Sequence, residues 1–382
     1  MIAAEHLLDA FINANILFCV ALALWFLVRA LMRVAGLKHA YGTQLSLLNA
    51  VFVAICLAPF LAMAFGALQS SGVAKGVNVN LSDMVVSYYL NGGLQMKASE
   101  FEGLILMRDT FTLNVLSAEG WIAKAAIAVF LFGFGLGLVR LGYSVLCLWR
   151  IVASSYAWRR FGRVHIRLSD KTLVPFSTRG LWRYYVVLPS HMLGQGDEMK
   201  VSLAHEFQHI RQGDLEWEVL LEALKPIFFL NPAYHAWKRQ VEHLRELNCD
   251  SEVLSKGRID VRANCETLLS VCQKTLRRDR AFVIAVPKVT LVTAEHSSVV
   301  GGKMSFLEER ILSVLNARRL IHRRLIFLAV ALPLVAAVAL ASVAIQRQGD
   351  WSQDRLMLST VVNLDRLEEI NRLSTFGRVR NQ

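Results

Sequence analysis

Two histidines four residues apart, His205 and His209, stand in the run His205-Glu206-Phe207-Gln208-His209. On a helix, residues four apart lie one turn above each other on one face. Two imidazoles so placed can share one zinc ion. Glu206, beside the first histidine, can act as general base toward a water at that ion. Five letters recur by chance, so the setting must carry the reading. The motif falls on a predicted helix, in a charged rather than an apolar part of the chain. A second predicted helix carries Glu246-Leu247-Asn248-Cys249-Asp250. Glu246 and Asp250 share a face there. Glu246 completes two imidazoles and a carboxylate, the open ligand set of a catalytic zinc site. Asp250 can accept the N–H of a ligand histidine and fix its ring. Glu242 and His243 are alternative third ligands, ranked lower because only Glu246 has the downstream Asp250. Cys249 reads as a packed thiol, since free cysteine behaves as a small hydrophobe.

These residues need elements to hold them. A helix is expected from Gly196-Asp197, with Asp197 as candidate N-cap, to about Gln212, stopped by Gly213. Asn231-Pro232 opens a second, running to about Ser255 and ended by Gly257. Upstream, Val164–Leu168 alternates and Tyr184–Leu188 is β-branched and aromatic, so both read as strands. Tyr184–Leu188 is the expected edge strand, able to hold a substrate backbone by strand addition. Phe306–Asn316 is a further amphipathic helix. No residue is assigned to the oxyanion; Tyr234 and His235 are candidates.

The rest of the chain sets the surroundings. Of 382 residues, 54% are hydrophobic and 19% charged, with mean hydropathy +0.41. A soluble domain carries about a quarter charged residues, so an ordinary cytosolic enzyme is excluded. Six scattered cysteines do not make a secreted disulfide scaffold. Four uncharged runs appear: Ala10–Val28, Ala40–Ala74 with its core at Ser46–Leu68, Ala125–Val139 and Leu325–Ile345. A spanning helix needs about 20 apolar residues; the third run qualifies if Lys124 or Arg140 snorkels.

Loop charge orients the spans. Arg29–Thr43 is basic without acids, Gln69–Gly120 is net acidic, and Arg150–Arg324 holds 28 Lys/Arg against 18 Asp/Glu. The expectation is an α-helical multi-pass membrane protein of four spans in the inner (cytoplasmic) membrane. Residues 1–149 carry three spans and an external loop at about 69–120. Residues 150–324 form a cytoplasmic α+β domain, 325–345 the fourth span, and 346–382 a short external tail. The N-terminus is external and is no cleavable signal peptide, because Glu5 and Asp9 precede the first run and the basic flank follows it. The net charge of +12 fits positive-inside bias and anionic lipid. No nucleic-acid motif is present, so no direct nucleic-acid binding is expected. The tail, with Leu356, Val361, Leu364, Leu367 and Leu373, is expected to form an amphipathic helix on the outer membrane face or against a partner.

The blocks Val174-Pro175-Phe176, Val186-Val187-Leu188-Pro189, His205–Asp214, Phe228-Phe229-Leu230-Asn231-Pro232 and Glu246–Asp250 together resemble the BlaR/MecR family of membrane zinc metallopeptidases, within the gluzincins. The resemblance covers the soluble core and the three-plus-one arrangement of spans. It implies a zincin-like fold, one zinc ion on His205, His209 and Glu246, and Glu206 as catalytic base. Asp214 and Asp250 match supporting acidic positions; a helix cap is the plain alternative for Asp214. It further implies an endopeptidase cutting a cytoplasmic protein, such as a transcriptional repressor; self-cleavage is the other expectation, in the connector Ala294–Ser305, which contains Gly301-Gly302 and leads to the last span. A homo-oligomer is left open. The sequence departs from the β-lactam-sensing members: residues 346–382 are too short for a penicillin-binding domain, and no Ser-x-x-Lys occurs. An HtpX-like quality-control protease and a non-enzymatic signalling scaffold are the alternatives. The charges of the zinc helix argue against an intramembrane protease.

Overall fold

The computed structural model describes residues 2–71, 81–256, 260–276, 306–315, 323–345 and 353–379. In chain order the first helices are α1 (Ile2–Val34), α2 (Tyr41–Ser70), α3 (Leu81–Leu90), α4 (Ala98–Ser117) and α5 (Gly120–Ser154). A four-stranded sheet follows: β1 (Tyr156–Phe161), β2 (Val164–Ser169), β3 (Phe176–Arg179) and β4 (Tyr184–Pro189). Then come α6 (Gly196–Gln212), α7 (Asp214–Leu224), α8 (Pro232–Ser255), α9 (Val261–Leu276), α10 (Phe306–Leu315), α11 (Arg323–Ala344) and α12 (Gln353–Val379). Four helices are long and apolar enough to cross a membrane, over Leu7–Val34, Tyr41–Phe65, Gly120–Ser154 and Arg324–Ala344. The third expected span, short by its uncharged run, is a 35-residue helix in which Lys124 and Arg140 lie inside. This is a mostly helical membrane protein.

Contacts divide the chain into two units. One contains residues 1–24, 49–131 and 329–382. Its small core joins Val86, Ala98 and Phe101 to Leu358 and Val362 of α12. Tyr89 stacks on Phe101 at 4.0 Å between ring centroids. Sequence reading missed α3, α4 and the second apolar face of α12 that packs on them. Leu356, Val361, Leu364 and Leu367 are exposed, whereas Leu358 and Val362 are buried. The reason is that α12 packs on helices of the preceding loop, which its own periodicity cannot reveal. Leu373 lies outside the described side chains. Arg108 of α4 donates to Asn13 Oδ1 at 2.8 Å and to the Ile345 carbonyl at 3.0 Å.

The other unit contains residues 25–48 and 132–328. Its sheet order is β1-β2-β4-β3. β2 and β4 are parallel; the outer pairs are antiparallel. The expectation that Tyr184–Leu188 forms the edge is therefore corrected: β4 is internal, and β1 and β3 are the edges. The run Val186-Val187-Leu188 is apolar on both faces because both faces are covered. Val186 and Leu188, with Ile166, face Met199, Leu203, Phe207 and Ile210 of α6. Val187, with Phe176, faces Ile151, Leu148 and Val152 of α5. Burying one such aliphatic or aromatic side chain stabilises by about 1.5–3 kcal/mol, and this stripe fixes α6 on the sheet.

Gly133 and Gly137, one turn apart on α5, let the α7–α8 connection approach closely. A Cβ at Gly133 would fall 2.1 Å from the Phe229 ring, and one at Gly137 3.0 Å from Pro226. The Phe-Phe-Leu-Asn-Pro block is thus a packing surface followed by a cap. The Asn231 side chain accepts from the Ala233 and Tyr234 amides, and Pro232 sits in the first helical turn.

Candidate metal centre

α6 begins at Gly196 with Gln195 at the N-cap position and no side-chain cap. Asp197, expected as the cap, lies inside the first turn with Glu198. Acids there still favour the helix by meeting its positive end. The far end is as expected: Gly213 adopts φ 74°, and its N–H meets the His209 and Ile210 carbonyls. This left-handed residue lets α7 start at once with Asp214 turned back toward α6.

Asp214 Oδ2 is 2.8 Å from His209 Nδ1. Asp250 Oδ1, from α8, is 3.2 Å from His205 Nδ1. An ionised carboxylate only accepts, so each Nδ1 carries its hydrogen, and in the neutral ring Nε2 is then the lone-pair nitrogen. The two Nε2 atoms face each other at 3.0 Å. Glu246 closes the triangle, its Oε2 3.5 Å from His205 Nε2 and its Oε1 3.6 Å from His209 Nε2. His205, Glu206, His209, Asp214, Glu246 and Asp250 are all buried, none more than 4% exposed. The residues singled out in the sequence converge on one point.

The electrostatics suit a cation. Burial alone would lower both histidine pKa values, but Cys249 and the surrounding acids outweigh it and drive both well up. Burial works against Glu246 too, yet Arg310 and the histidines hold its carboxyl at about 2. Asp250 is pushed below the carboxylate range by Arg310 and His205 against the same penalty. Glu206 moves the other way: burial raises it, more than His209, His205 and Ser177 lower it. Neither Glu206 oxygen has a hydrogen-bond partner among the described residues, whereas Glu246 Oε2 is met by the Arg310 guanidinium at 3.3 Å. A buried acid left unsatisfied beside two facing imidazole nitrogens and the Glu246 carboxylate fits a divalent ion among them.

Cys249 competes for the third position. His205, His209 and Cys249 each offer a donor atom within 4.8 Å of the others. Its Sγ, however, is 3.6 Å from His205 Nδ1 and 3.5 Å from the His205 carbonyl. That is the side of the ring held by Asp250, not the lone-pair side. Glu246 faces both Nε2 atoms and is the better placed donor.

The other candidates are engaged elsewhere. Glu242 is 2.9 Å from Lys238 Nζ, and His243 is 3.3 Å from Glu309. The Tyr234 hydroxyl donates to the Leu221 carbonyl, and His235 Nε2 meets the Phe229 carbonyl at 3.0 Å. Both brace the α7–α8 turn, so neither serves the oxyanion here. Sequence reading missed Arg310, which reaches Asp250 at 2.7 Å and Glu246 at 3.3 Å. It also missed Arg245, which meets Glu218 at 2.6 Å. Nothing in the amphipathic pattern around Arg310 separates it from a surface arginine. The Ala294–Ser305 segment, expected as a self-cleavage region, lies outside the described residues.

Apolar helices of spanning length, joined to a domain whose buried helix carries His-Glu-x-x-His, define a membrane protein of the metallopeptidase class. The chain belongs to the BlaR1 peptidase M56 family, whose pattern matches residues 7–290. It is also similar to the regulatory protein BlaR1 of Bacillus licheniformis, 32% identical over 78 residues. That stretch is 20% of this chain and 13% of the length of that relative.

Proposed function

We propose that this protein is a membrane-anchored zinc endopeptidase with a zincin-like catalytic domain on the cytoplasmic side of the inner membrane. The observation that carries the reading is the convergence of His205 Nε2, His209 Nε2 and both Glu246 oxygens beside an unpartnered Glu206. His205, His209 and Glu246 hold the ion, and Asp250 and Asp214 orient the two imidazoles. Zinc, when bound, supplies Lewis acidity toward the scissile carbonyl and lowers the pKa of an attacking water. Glu206 takes the proton of that water and returns it to the leaving amine. Its raised pKa suits both transfers, because a general base works best near the operating pH. The substrate backbone is held as an added strand on β3, which pairs with β4 on one side only within the sheet.

The substrate is a cytoplasmic protein, with a transcriptional repressor or the chain itself as the leading classes. The Bacillus licheniformis relative is a regulatory protein, which supports a signalling role. The orientation rests on the basic connectors, which favour the cytoplasmic side.

The test pairs wild type with Glu206→Gln in native membranes. Equal bound zinc is expected in both, with turnover lower by about 10²–10⁴-fold in the variant. Cytosolic protein fragments seen only with wild type would name the substrate. Equal zinc with identical fragments under every stimulus would favour the scaffold reading, and no zinc in either would overturn the site.

A further inference from the structure

We propose that Arg310 is a positioning residue of the metal centre, brought to it by a helix that supplies no ligand; the inference rests on the zinc reading above. Arg310 lies on α10 and is 1% exposed. Its Nε donates to Asp250 Oδ2 at 2.7 Å and its Nη2 to Oδ1 at 2.8 Å. The same Oδ1 is the atom 3.2 Å from His205 Nδ1. Arg310 Nη1 also lies 3.3 Å from Glu246 Oε2. A two-pronged contact fixes the plane of a carboxylate as well as its charge. Through Asp250 it sets the ring of His205.

α10 has its own seat. The neighbouring Glu309 lies 3.3 Å from His243 of α8. Arg29 and Lys38, which flank the α1–α2 turn, act electrostatically on Glu309 and favour its charged form. The Tyr41 hydroxyl hydrogen-bonds with Ser313 of α10, and Arg29 donates to Gln240 of α8 at 2.6 Å. The helix bearing Arg310 is thus held between the metal-site helix and the connection of the first two spans.

Two effects of Arg310 oppose each other, which makes the proposal decidable by sign. As a mere positive charge beside a ligand carboxylate, Arg310 would weaken metal binding, and its removal would tighten it. As a positioning group it strengthens binding, and loss of such partners typically lowers metal affinity 10–100-fold. The experiment measures zinc affinity by chelator competition on the full chain in detergent, for wild type, Arg310→Met, Arg310→Lys, Asp250→Asn and the double variant Arg310→Met/Asp250→Asn. A 10–100-fold weakening is expected for Arg310→Met. Arg310→Lys should recover only part, because an ammonium keeps the charge without the planar fork. The double variant, which leaves no unpaired aspartate and so remains informative if Arg310→Met does not fold, should bind within about threefold of Asp250→Asn alone. Equal or tighter zinc in Arg310→Met, full recovery in Arg310→Lys, or a double variant 10-fold weaker than Asp250→Asn would each overturn the role of Arg310. Wild type without zinc would instead overturn the zinc reading and this inference with it.

Discussion

Helix α8 faces two acidic clusters, one buried and one partly buried, that end in opposite ways. One gathers Glu218, Glu222 and Glu242, whose carboxylates come close enough to hold a metal ion. There the chain supplies its own cation: Lys238 Nζ lies 3.1 Å from Glu218 and 2.9 Å from Glu242 and also meets Glu222. Arg245 adds a second bond to Glu218. The other gathers Asp214, Glu246 and Asp250 around His205 and His209. Arg310 pairs two of its acids from one side, but among the described residues no ammonium or guanidinium stands between the two Nε2 atoms. The first cluster is complete as folded; in the proposed function the second takes its cation from outside. Acid density alone therefore does not mark a metal site; what marks it is the lack of an internal cation where the lone pairs point.

The largest expected effect separates the ligands from their neighbours. Glu246→Ala should abolish measurable zinc binding at the site, whereas Cys249→Ala should leave one zinc per chain. Zinc analysis after dialysis checks both, and the reverse result would move the third ligand to Cys249. Next, Lys238→Met breaks the closed cluster and leaves the buried Glu218 with Arg245 alone. Removing one partner of a buried pair typically costs about 3–5 kcal/mol. A lower unfolding midpoint with unchanged zinc stoichiometry is expected; loss of zinc would show that the clusters are one.

The two clusters should also part on acidification. Burial works against the Glu218 carboxylate, but Arg245 and Lys238 bring its pKa to about 2 from an ordinary 4.5. Its folded pKa is lowered, so its contribution is full above about pH 4.5 and lost as pH falls toward 2. That gap is worth about 3 kcal/mol. Zinc, by contrast, needs neutral imidazoles and is displaced by protons directly. Titration should release zinc while far-ultraviolet circular dichroism still shows the folded helices. Unfolding that coincides with zinc release would make the metal, not the ion-pair cluster, the main support of the fold in acid.

Much of this was legible beforehand because it is local. The i, i+4 histidines, the left-handed stop at Gly213, the Asn231 cap and the apolar runs each depend on residues within a few turns of one another. Asp250 was legible as a supporting acid because it lies one turn beyond Glu246, whereas Asp214 was marked only by the family resemblance. The strands were half legible. Val164–Leu168 and Tyr184–Leu188 show their pattern, whereas β1, with Arg159 and Arg160, and the four-residue β3 do not. Strand order was not legible at all: β3 returns antiparallel on the far side of β4, and no periodicity of β4 says how many neighbours it has.

The amino-acid sequence by itself determined the spans, the motif helices and the donor types, because helix periodicity, capping and apolar length act over short stretches of chain. Only the tertiary structure decided which acids remain open to a metal, which face of α12 is buried and that β3 is the edge beside Glu206. It alone brought Arg310 across sixty residues to Asp250. Those outcomes turn on which distant surfaces pack together, and a buried charge takes its meaning from the partner that packing places beside it.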